Sequence, residues 1–317
     1  MARVVITGGA GAIGSNLVRA LLRESVVEVV IVDDLSSGHE QNIPRDDRVL
    51  FLRGSILDQS VLDRAFNRPV ERVFHLAANF ANLSSVHEPE KDLLVNGLGT
   101  LRVLGTAHRH GVRRFVYASS SCVYGGRCGA LAESMQEFNP GTPYAATKLL
   151  GERYVEFFSR HHGLDAVIVR YFNTYGPGEL PGRYRNVIPN FFYSAMKSQE
   201  LHITGSGEET RDFNFVEDTV AGTIRASEIA SSGAVYNIGS GRETTILTVA
   251  TRINQIVGNP AGIEFVEERK WDTVPRRLAS IERAVSELGY RPAVGIDEGL
   301  QKTYEWLKEQ DLTSCFV

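Results

Sequence analysis

Cysteine is scarce in this sequence: Cys122, Cys128 and Cys315 are the only three among 317 residues. An odd number without metal-ligand spacing supports neither a disulfide framework nor a thiolate metal site. Cys315 is third from the end, so no prenylation box is formed. Long apolar runs are missing as well, and none approaches the roughly 20 residues that a bilayer-spanning helix needs. Charge of one sign is not in excess either. Lys and Arg total 34 against 38 Asp and Glu, a formal net charge of -4 with pI ≈ 6.1. That balance gives no support for a nucleic-acid or membrane-surface partner. The opening "MARVVITGG" has no cationic region ahead of an apolar stretch and no small-residue cleavage site. Together these absences lead to the expectation of a soluble, cytoplasmic protein.

What is present is the composition of a globular chain, 43% hydrophobic and 23% charged, long enough for one large or two intimate domains. Short apolar runs recur: "RVVIT" (3–7), "EVVIVDD" (28–34), "RVLFL" (48–52), "RVFHLAA" (72–78), "RFVYASS" (114–120) and "DAVIVRYFN" (165–173). They are continuously apolar rather than alternating, as strands covered on both faces are. Amphipathic segments lie between them, such as "SNLVRALLRE" (15–24), "SVLDRAF" (60–66) and "LRVLGTAHRHG" (101–111). Strand–helix alternation of this kind predicts an α/β fold with a doubly wound parallel sheet. After about residue 175 Pro, Gly and charged residues become dense, which predicts a smaller C-terminal lobe. The division expected is 1–174 for the first domain, with 212–232 returning to it, and 175–211 plus 233–317 for the lobe.

Two motifs carry chemistry. In "VITGGAGAIGSNL" Gly8, Gly11 and Gly14 stand between a strand and a helix, where the backbone must turn tightly and approach a pyrophosphate. The free N–H groups and positive dipole of the helix N-terminus at Gly14 then suit the phosphates. Asp33 ends the next strand. A carboxylate there hydrogen-bonds adenosine ribose hydroxyls and repels a 2′-phosphate, so the cofactor expected is NAD rather than NADP.

The second motif is "TPYAATKLLGERYVEFF". Thr142 suits an N-cap and Pro143 the first helical position, so a helix begins here. Tyr144 and Lys148 then lie one turn apart on the same face. This spacing predicts that the ammonium lowers the phenol from its unperturbed ~10 toward working pH, making it a general base. A third feature is "YASSSCVYGG", in which Ser119, Ser120, Ser121 and Cys122 close an apolar strand. Three hydroxyls and a thiol in that position are not explained by packing alone. His75 and the pair His161–His162 have no companion ligands, and no metal is expected.

With these residues in view, the chain resembles the extended short-chain dehydrogenase/reductases of the NAD-dependent epimerase/dehydratase family, Rossmann-fold enzymes that act on nucleotide sugars. The resemblance runs through "TGGAGAIGS", "VDDLSSG", "HLAA", "SSSCVYG", "PYAATK", "RYFNTYGPGE", "TGSGEETRDFNFVEDTV" and "YNIGSG". It implies a triad of Ser120, Tyr144 and Lys148, with Tyr144 taking the proton of the sugar 4-hydroxyl. It implies cofactor contacts at Gly8, Gly11, Ala12, Ile13, Gly14, Asp33, Ser55, Ile56, Ala77, Ala78, Ser119, Tyr144 and Lys148. Substrate contacts implied are Ser84, Ser85, Ser120, Ser121, Asn173, Asn186, Arg211, Arg269 and Asp272, with Arg211 on the diphosphate. Relatives commonly dimerise through helices near 92–110 and 144–161, so a homodimer is expected.

The departures lie in the sugar half. The family's 4,6-dehydratases typically carry Asp and Glu after the catalytic Ser/Thr, whereas this chain has Ser121 and Cys122. Cys122 is either a small packing residue or, with its pKa lowered by neighbours, the group that exchanges the sugar C5 proton. Trp271 replaces the glycine of the family's Arg-x-Gly-Asp element. Either Arg276 or Arg277 stands near the sugar-pocket gatekeeper. This irregular half leads to the expectation of a UDP-N-acetylglucosamine 5,6-dehydratase of the tunicamycin-type antibiotic pathways, with Cys122 counted among the catalytic residues. The alternative is a UDP-hexose or UDP-N-acetylhexosamine 4-epimerase. A non-catalytic NAD sensor would be marked by loss of Ser120, Tyr144 or Lys148, and all three are present.

Overall fold

The computed structural model describes residues 2–23, 27–135, 137–268, 274–313 and 315. Fifteen strands are found among them: β1 (Ala2–Thr7), β2 (Val27–Asp33), β3 (Val49–Arg53), β4 (Arg72–His75), β5 (Arg114–Ser120), β6 (Gly129–Leu131), β7 (Ala166–Tyr171), β8 (Asn173–Tyr175), β9 (Leu201–Thr204), β10 (Thr210–Arg211), β11 (Phe213–Phe215), β12 (Val235–Ile238), β13 (Thr244–Thr245), β14 (Ile263–Val266) and β15 (Arg276–Ala279). Seven of them form one parallel sheet in the order β12-β7-β5-β4-β1-β2-β3. The winding direction reverses between β1 and β4, and in open α/β sheets the crevice at such a switch point, beyond the carboxyl ends of the strands, is where ligands bind.

The helices that cover this sheet are α1 (Ala12–Leu21), α2 (Gln59–Ala65), α3 (Asn82–His87), α4 (Pro89–Asp92), α5 (Thr100–Arg109) and α6 (Pro143–His162). A π-helical turn over Leu93–Gly99 joins α4 to α5. Then follow α7 (Val187–Met196), α8 (Val216–Ile229), α9 (Ile246–Val257), α10 (Glu282–Leu288) and α11 (Ile296–Lys308). None of the described helices is long and apolar enough to cross a membrane.

Burial accounts for the unbroken apolar runs. Val4 and Ile6 of β1 pack with Leu17, Val18 and Val220 on one face of the sheet, while Val5 packs with Leu62, Val103 and Phe115 on the other. Consecutive residues of one strand thus enter opposite cores, and both must be apolar. A third core, built on Phe191, Phe192, Leu201, Ile203, Val249, Ile253 and Leu307, belongs to the C-terminal elements.

The chain does not divide cleanly at residue 175. Val235–Ile238, expected in the smaller lobe, is the edge strand of the seven-stranded sheet, paired with β7. Conversely β6, from the first half, joins β13, β10 and β15 in a four-stranded sheet. A local apolar pattern reveals that a strand is buried but not which strand it pairs with. The helix α8 packs on α1, β5 and β7.

Candidate active site

A cavity of about 620 Å³ opens at the carboxyl ends of the central strands. At its first wall β1 turns into α1. Gly8 has φ +77, and a Cβ there would lie 2.6 Å from the Ala77 backbone N; a Cβ on Gly14 would lie 2.2 Å from the Gly8 carbonyl O. Side chains are therefore excluded from the turn, leaving a bare backbone cradle. The first turn of α1 carries no acidic residue, so its N–H groups meet no competing anion. Gly8, Gly11, Ala12, Ile13 and Gly14 all line the cavity.

Asp33 ends β2 at the same mouth. Its Oδ2 accepts from Ala10 N and its Oδ1 from Leu35 N, each at 2.9 Å, which fixes the carboxylate beside the turn. Burial pushes its pKa up, against those two hydrogen bonds. Ser55, Ile56, Ala77 and Ala78 line the same region. Below them the buried His75 bridges Thr7 Oγ1 at 2.6 Å and Thr100 Oγ1 at 2.9 Å. Burial and the Lys148 charge bring His75 down to about 3, so it is a neutral strut rather than a charged group. Cradle, bare helix N-terminus and anchored carboxylate fit a dinucleotide: glycine turn to pyrophosphate, Asp33 to ribose hydroxyls.

The opposite wall carries Ser120, Tyr144 and Lys148, the three residues expected to form a triad. Thr142 caps α6 by accepting from Ala145 N, with Pro143 at the first helical position, as the motif predicts. This start brings Tyr144 and Lys148 against the end of β5. The Ser120 side chain hydrogen-bonds to the Tyr144 phenol and caps the following turn by accepting from Cys122 N at 3.2 Å. Lys148 Nζ donates to Ala118 O at 2.9 Å and sits 5.7 Å from the centre of the Tyr144 ring. Burial brings Lys148 down to about 8, opposed by Asp92, Cys122 and Glu152.

One expectation is corrected here. Tyr144 is not lowered toward neutral pH: burial raises it, Cys122 and Asp92 add to the rise, and only the Ser120 hydrogen bond acts the other way. Burial is the largest cause, while the Lys148 ammonium donates its hydrogen bond to the Ala118 carbonyl.

Other expected residues divide. Ser119, Ser121, Cys122, Asn173, Asn186 and Arg211 line the cavity. Ser119, however, commits its hydroxyl to Glu152 Oε1 at 2.5 Å. Asn186 precedes α7 and donates to Glu179 Oε1 at 3.0 Å. Arg211 Nη1 donates to the carbonyls of Thr210 and Val274, each at 2.9 Å. Ser84 and Ser85 do not reach the cavity: α3 begins at Asn82, so both fall in its first turn and are buried, with Ser85 Oγ donating to Asn82 O. The cavity face of that segment is Phe80, Ala81, Asn82 and Leu83 instead. Phe80 meets Tyr144 edge-to-face at 6.2 Å, and Asn82 Nδ2 lies 3.5 Å from Cys122 Sγ. Arg269 and Asp272 lie outside the described residues. The choice between Arg276 and Arg277 is resolved by geometry. Arg276 pairs outward with Glu243 at 2.5 Å, whereas Arg277 lines the cavity beside Cys122.

Sequence reasoning missed a buried layer beneath the triad. Glu152, one turn beyond Lys148, receives both Arg170 Nε at 2.9 Å and Arg170 Nη2 at 2.7 Å, and Arg170 Nη1 donates to Tyr124 OH at 2.9 Å. Asp92 accepts from Thr147 Oγ1 at 2.5 Å and from Asn96 Nδ2 at 2.8 Å. Apart from Asp92 and Asn96, four residues apart, the partners come from separate segments, and no local signal marks them. Among the described residues, the one grouping with metal-ligand spacing is Glu200, His202 and Glu264, all solvent-exposed.

Comparison with known proteins agrees with this geometry. Residues 4–239 match the NAD dependent epimerase/dehydratase family. A UDP-glucose 4-epimerase of Mycolicibacterium smegmatis is 35% identical over 312 residues, covering 97% of this chain and 99% of that one. Among solved structures, an epimerase of Methanothermobacter thermautotrophicus is 47% identical with a TM-score of 0.93, over 97% of this chain and 92% of that one. A UDP-N-acetylglucosamine 4-epimerase of Methanobrevibacter ruminantium, solved with UDP-N-acetylmuramic acid, is 30% identical with a TM-score of 0.91, over 98% and 99%. Glycine cradle, anchored Asp33 and the Ser120–Tyr144–Lys148 cluster therefore stand in a chain that belongs to the NAD-dependent epimerase/dehydratase family, whose enzymes act on nucleotide sugars.

Proposed function

We propose that this NAD-dependent enzyme is a 4-epimerase of a UDP-hexose or UDP-N-acetylhexosamine. NAD, when bound, supplies a reversible hydride acceptor for C4 of the sugar. Tyr144 takes the proton of the 4-hydroxyl and later returns it, Ser120 holds O4 by its hydroxyl, and Lys148 binds the nicotinamide ribose. Asn173, Asn186, Arg211, Arg269 and Asp272 are assigned to the nucleotide sugar, with Arg211 on the diphosphate. The lobe formed by 175–211 and the chain after β12 would hold that nucleotide.

The observation that carries this reading is the pair that follows Ser120. Ser121 and Cys122 supply a hydroxyl and a thiol where water elimination from a 4-keto sugar calls for a carboxyl acid and base. Several relatives, 4-epimerases of UDP-glucose and of UDP-N-acetylglucosamine, support it further. The test is proton NMR of a UDP-sugar with the protein and catalytic NAD in deuterated water. Inversion at C4 without deuterium at C5 is expected.

A 5,6-dehydratase acting on UDP-N-acetylglucosamine is the second reading, favoured by the polar setting of Cys122. Asn82 Nδ2 and Arg277 Nη1 both direct N–H groups at its sulfur, at 3.5 and 3.6 Å. Signals of a C5=C6 double bond in the same spectrum would establish that reading instead. We also propose a homodimer through α6 and the π-helical turn, where Leu93, Leu94, Leu98 and Phe157 stand 53%, 48%, 38% and 48% exposed.

A further inference from the structure

At the sugar end of the cavity stands a cation with too few partners. Arg277, on β15, donates from Nη2 to Gly125 O at 3.0 Å and reaches Cys122 Sγ from Nη1 at only 3.6 Å. Its Nε is buried and meets no acceptor. No carboxylate among the described residues forms an ion pair with it, whereas its neighbour Arg276 has Glu243. A guanidinium is always charged and offers five donors, so a desolvated Nε and a missing counter-ion are costs that a ligand anion can offset.

The position of this cation relative to the triad defines which part of a ligand it meets. Cys122 is two residues beyond Ser120, and its backbone N is bonded to the Ser120 hydroxyl. Cys122 is also close enough to Tyr144 and Lys148 to act on both electrostatically. A sugar whose O4 lies between Ser120 and Tyr144 therefore presents the substituents flanking C4 to Arg277. On the neighbouring strand Arg211 stands in register with Arg277, and both line the cavity. This wall of the cavity thus carries two guanidinium groups side by side, and the function proposed above places the diphosphate at Arg211.

We infer that Arg277 recognises a carboxylate on the sugar, so that the substrate is an acidic nucleotide sugar whose carboxylate flanks C4. The carboxylate could be C6 itself, as in a hexuronate, or one carried on O3 by an ether-linked acid. Arg277 would then act as the specificity-determining residue, its planar fork meeting the two carboxylate oxygens. This inference rests on the C4 reading above for where the sugar lies.

The test uses the NAD-loaded enzyme with four probes: UDP-glucuronic acid, UDP-N-acetylmuramic acid, UDP-glucose and UDP-N-acetylglucosamine. Turnover is read by NMR and affinity by calorimetry, for the wild type and for Arg277→Gln and Arg277→Lys. The wild type should prefer one acidic sugar over its neutral counterpart, and which one wins tells C6 from O3. Arg277→Gln should lower that acidic-to-neutral ratio by about 10- to 100-fold, the usual weight of a charge-assisted hydrogen bond, with Arg277→Lys in between. A neutral preference that Arg277→Gln leaves unchanged would overturn the inference while the C4 reading stands. Acid-selective binding that depends on Arg277 but leads to no chemistry at C4 would instead overturn the C4 reading and uphold the role of Arg277. If Cys122→Ala abolishes turnover of acidic and neutral sugars alike while Arg277→Gln leaves their ratio unmoved, the guanidinium serves the sulfur and the inference fails.

Discussion

Replacing Glu152 by alanine should unbalance the layer on which the whole triad rests. Its carboxylate is 0% exposed and its partner Arg170 only 4%. Two hydrogen bonds at 2.9 and 2.7 Å join the two side chains in a fork, and Ser119 adds a third donor at 2.5 Å. Burial pulls the Arg170 pKa down, yet the Glu152 hydrogen bonds outweigh it and hold the guanidinium above its ordinary value. Removing one member of such a pair leaves the other charge buried and uncompensated, a cost of about 3–5 kcal/mol. As a hydrogen-bond partner the Arg170 guanidinium would keep only the Tyr124 hydroxyl, and the Ser119 hydroxyl would lose its acceptor. Replacing both members with apolar residues removes the stranded charge, so Glu152→Ala combined with Arg170→Met should be less damaging than the sum of the single changes by roughly 2 kcal/mol or more. Urea denaturation of the wild type, both single variants and the double variant measures that coupling. A cost below about 1 kcal/mol for Glu152→Ala, or strict additivity in the cycle, would refute the reasoning.

Three further outcomes follow from the geometry. Tyr144→Phe should lower turnover by about 10²- to 10⁴-fold, the usual weight of a general acid–base group, while NAD still binds; undiminished turnover would remove Tyr144 from the chemistry. Gly14→Ala places a Cβ 2.2 Å from the Gly8 carbonyl O and should both destabilise the chain by about 1–3 kcal/mol and weaken NAD binding. Unchanged calorimetric affinity for NAD would show that the turn is not the phosphate cradle. His75 binds its proton only at about 3 in the folded chain, against an ordinary 6.5. Between those values the unfolded chain holds the extra proton, so stability falls as pH drops below 6.5, by about 2 kcal/mol on reaching roughly pH 5. Denaturation of wild type and His75→Gln across that range should show a flatter profile for the variant, and equal slopes would exclude His75 as the source.

The parts of this protein that were legible in its sequence are those with a local physical signature. The continuous runs 3–7, 28–34 and 114–120 correspond to β1, β2 and β5 within a residue or two, because a strand buried on both faces leaves no polar position to interrupt it. Tyr144 and Lys148 were legible as a pair because one helix fixes their separation, and Thr142 and Pro143 mark where that helix starts. What was not legible depends on pairing between distant segments. The run around Val235–Ile238 reads as a strand, but only β7 beside it places it in the main sheet. Ser84 and Ser85 have the right residue type in the right segment, yet the onset of α3 at Asn82 turns them inward. Arg276 and Arg277 are indistinguishable as letters, and the alternation of one short strand sends the first to Glu243 and the second to the cavity.

The same distinction bears on the proposed base, Tyr144. From spacing alone, Lys148 looks like the group that lowers the Tyr144 pKa, since a cation one turn away on the same helix face is the simplest way to do so. In the folded chain Lys148 instead donates to Ala118 O, and Tyr144 is raised by burial, Cys122 and Asp92. The protein's own groups thus favour the protonated phenol, and Ser120 alone opposes them. In the function proposed above, the positive charge of an oxidised nicotinamide ring, whose ribose Lys148 is proposed to hold, would oppose that rise. Such a charge would lower the phenol pKa and so raise the population of its deprotonated form. Lys148, which burial brings down to about 8 against the opposing effect of Asp92, Cys122 and Glu152, is proposed to position that ring through its ribose.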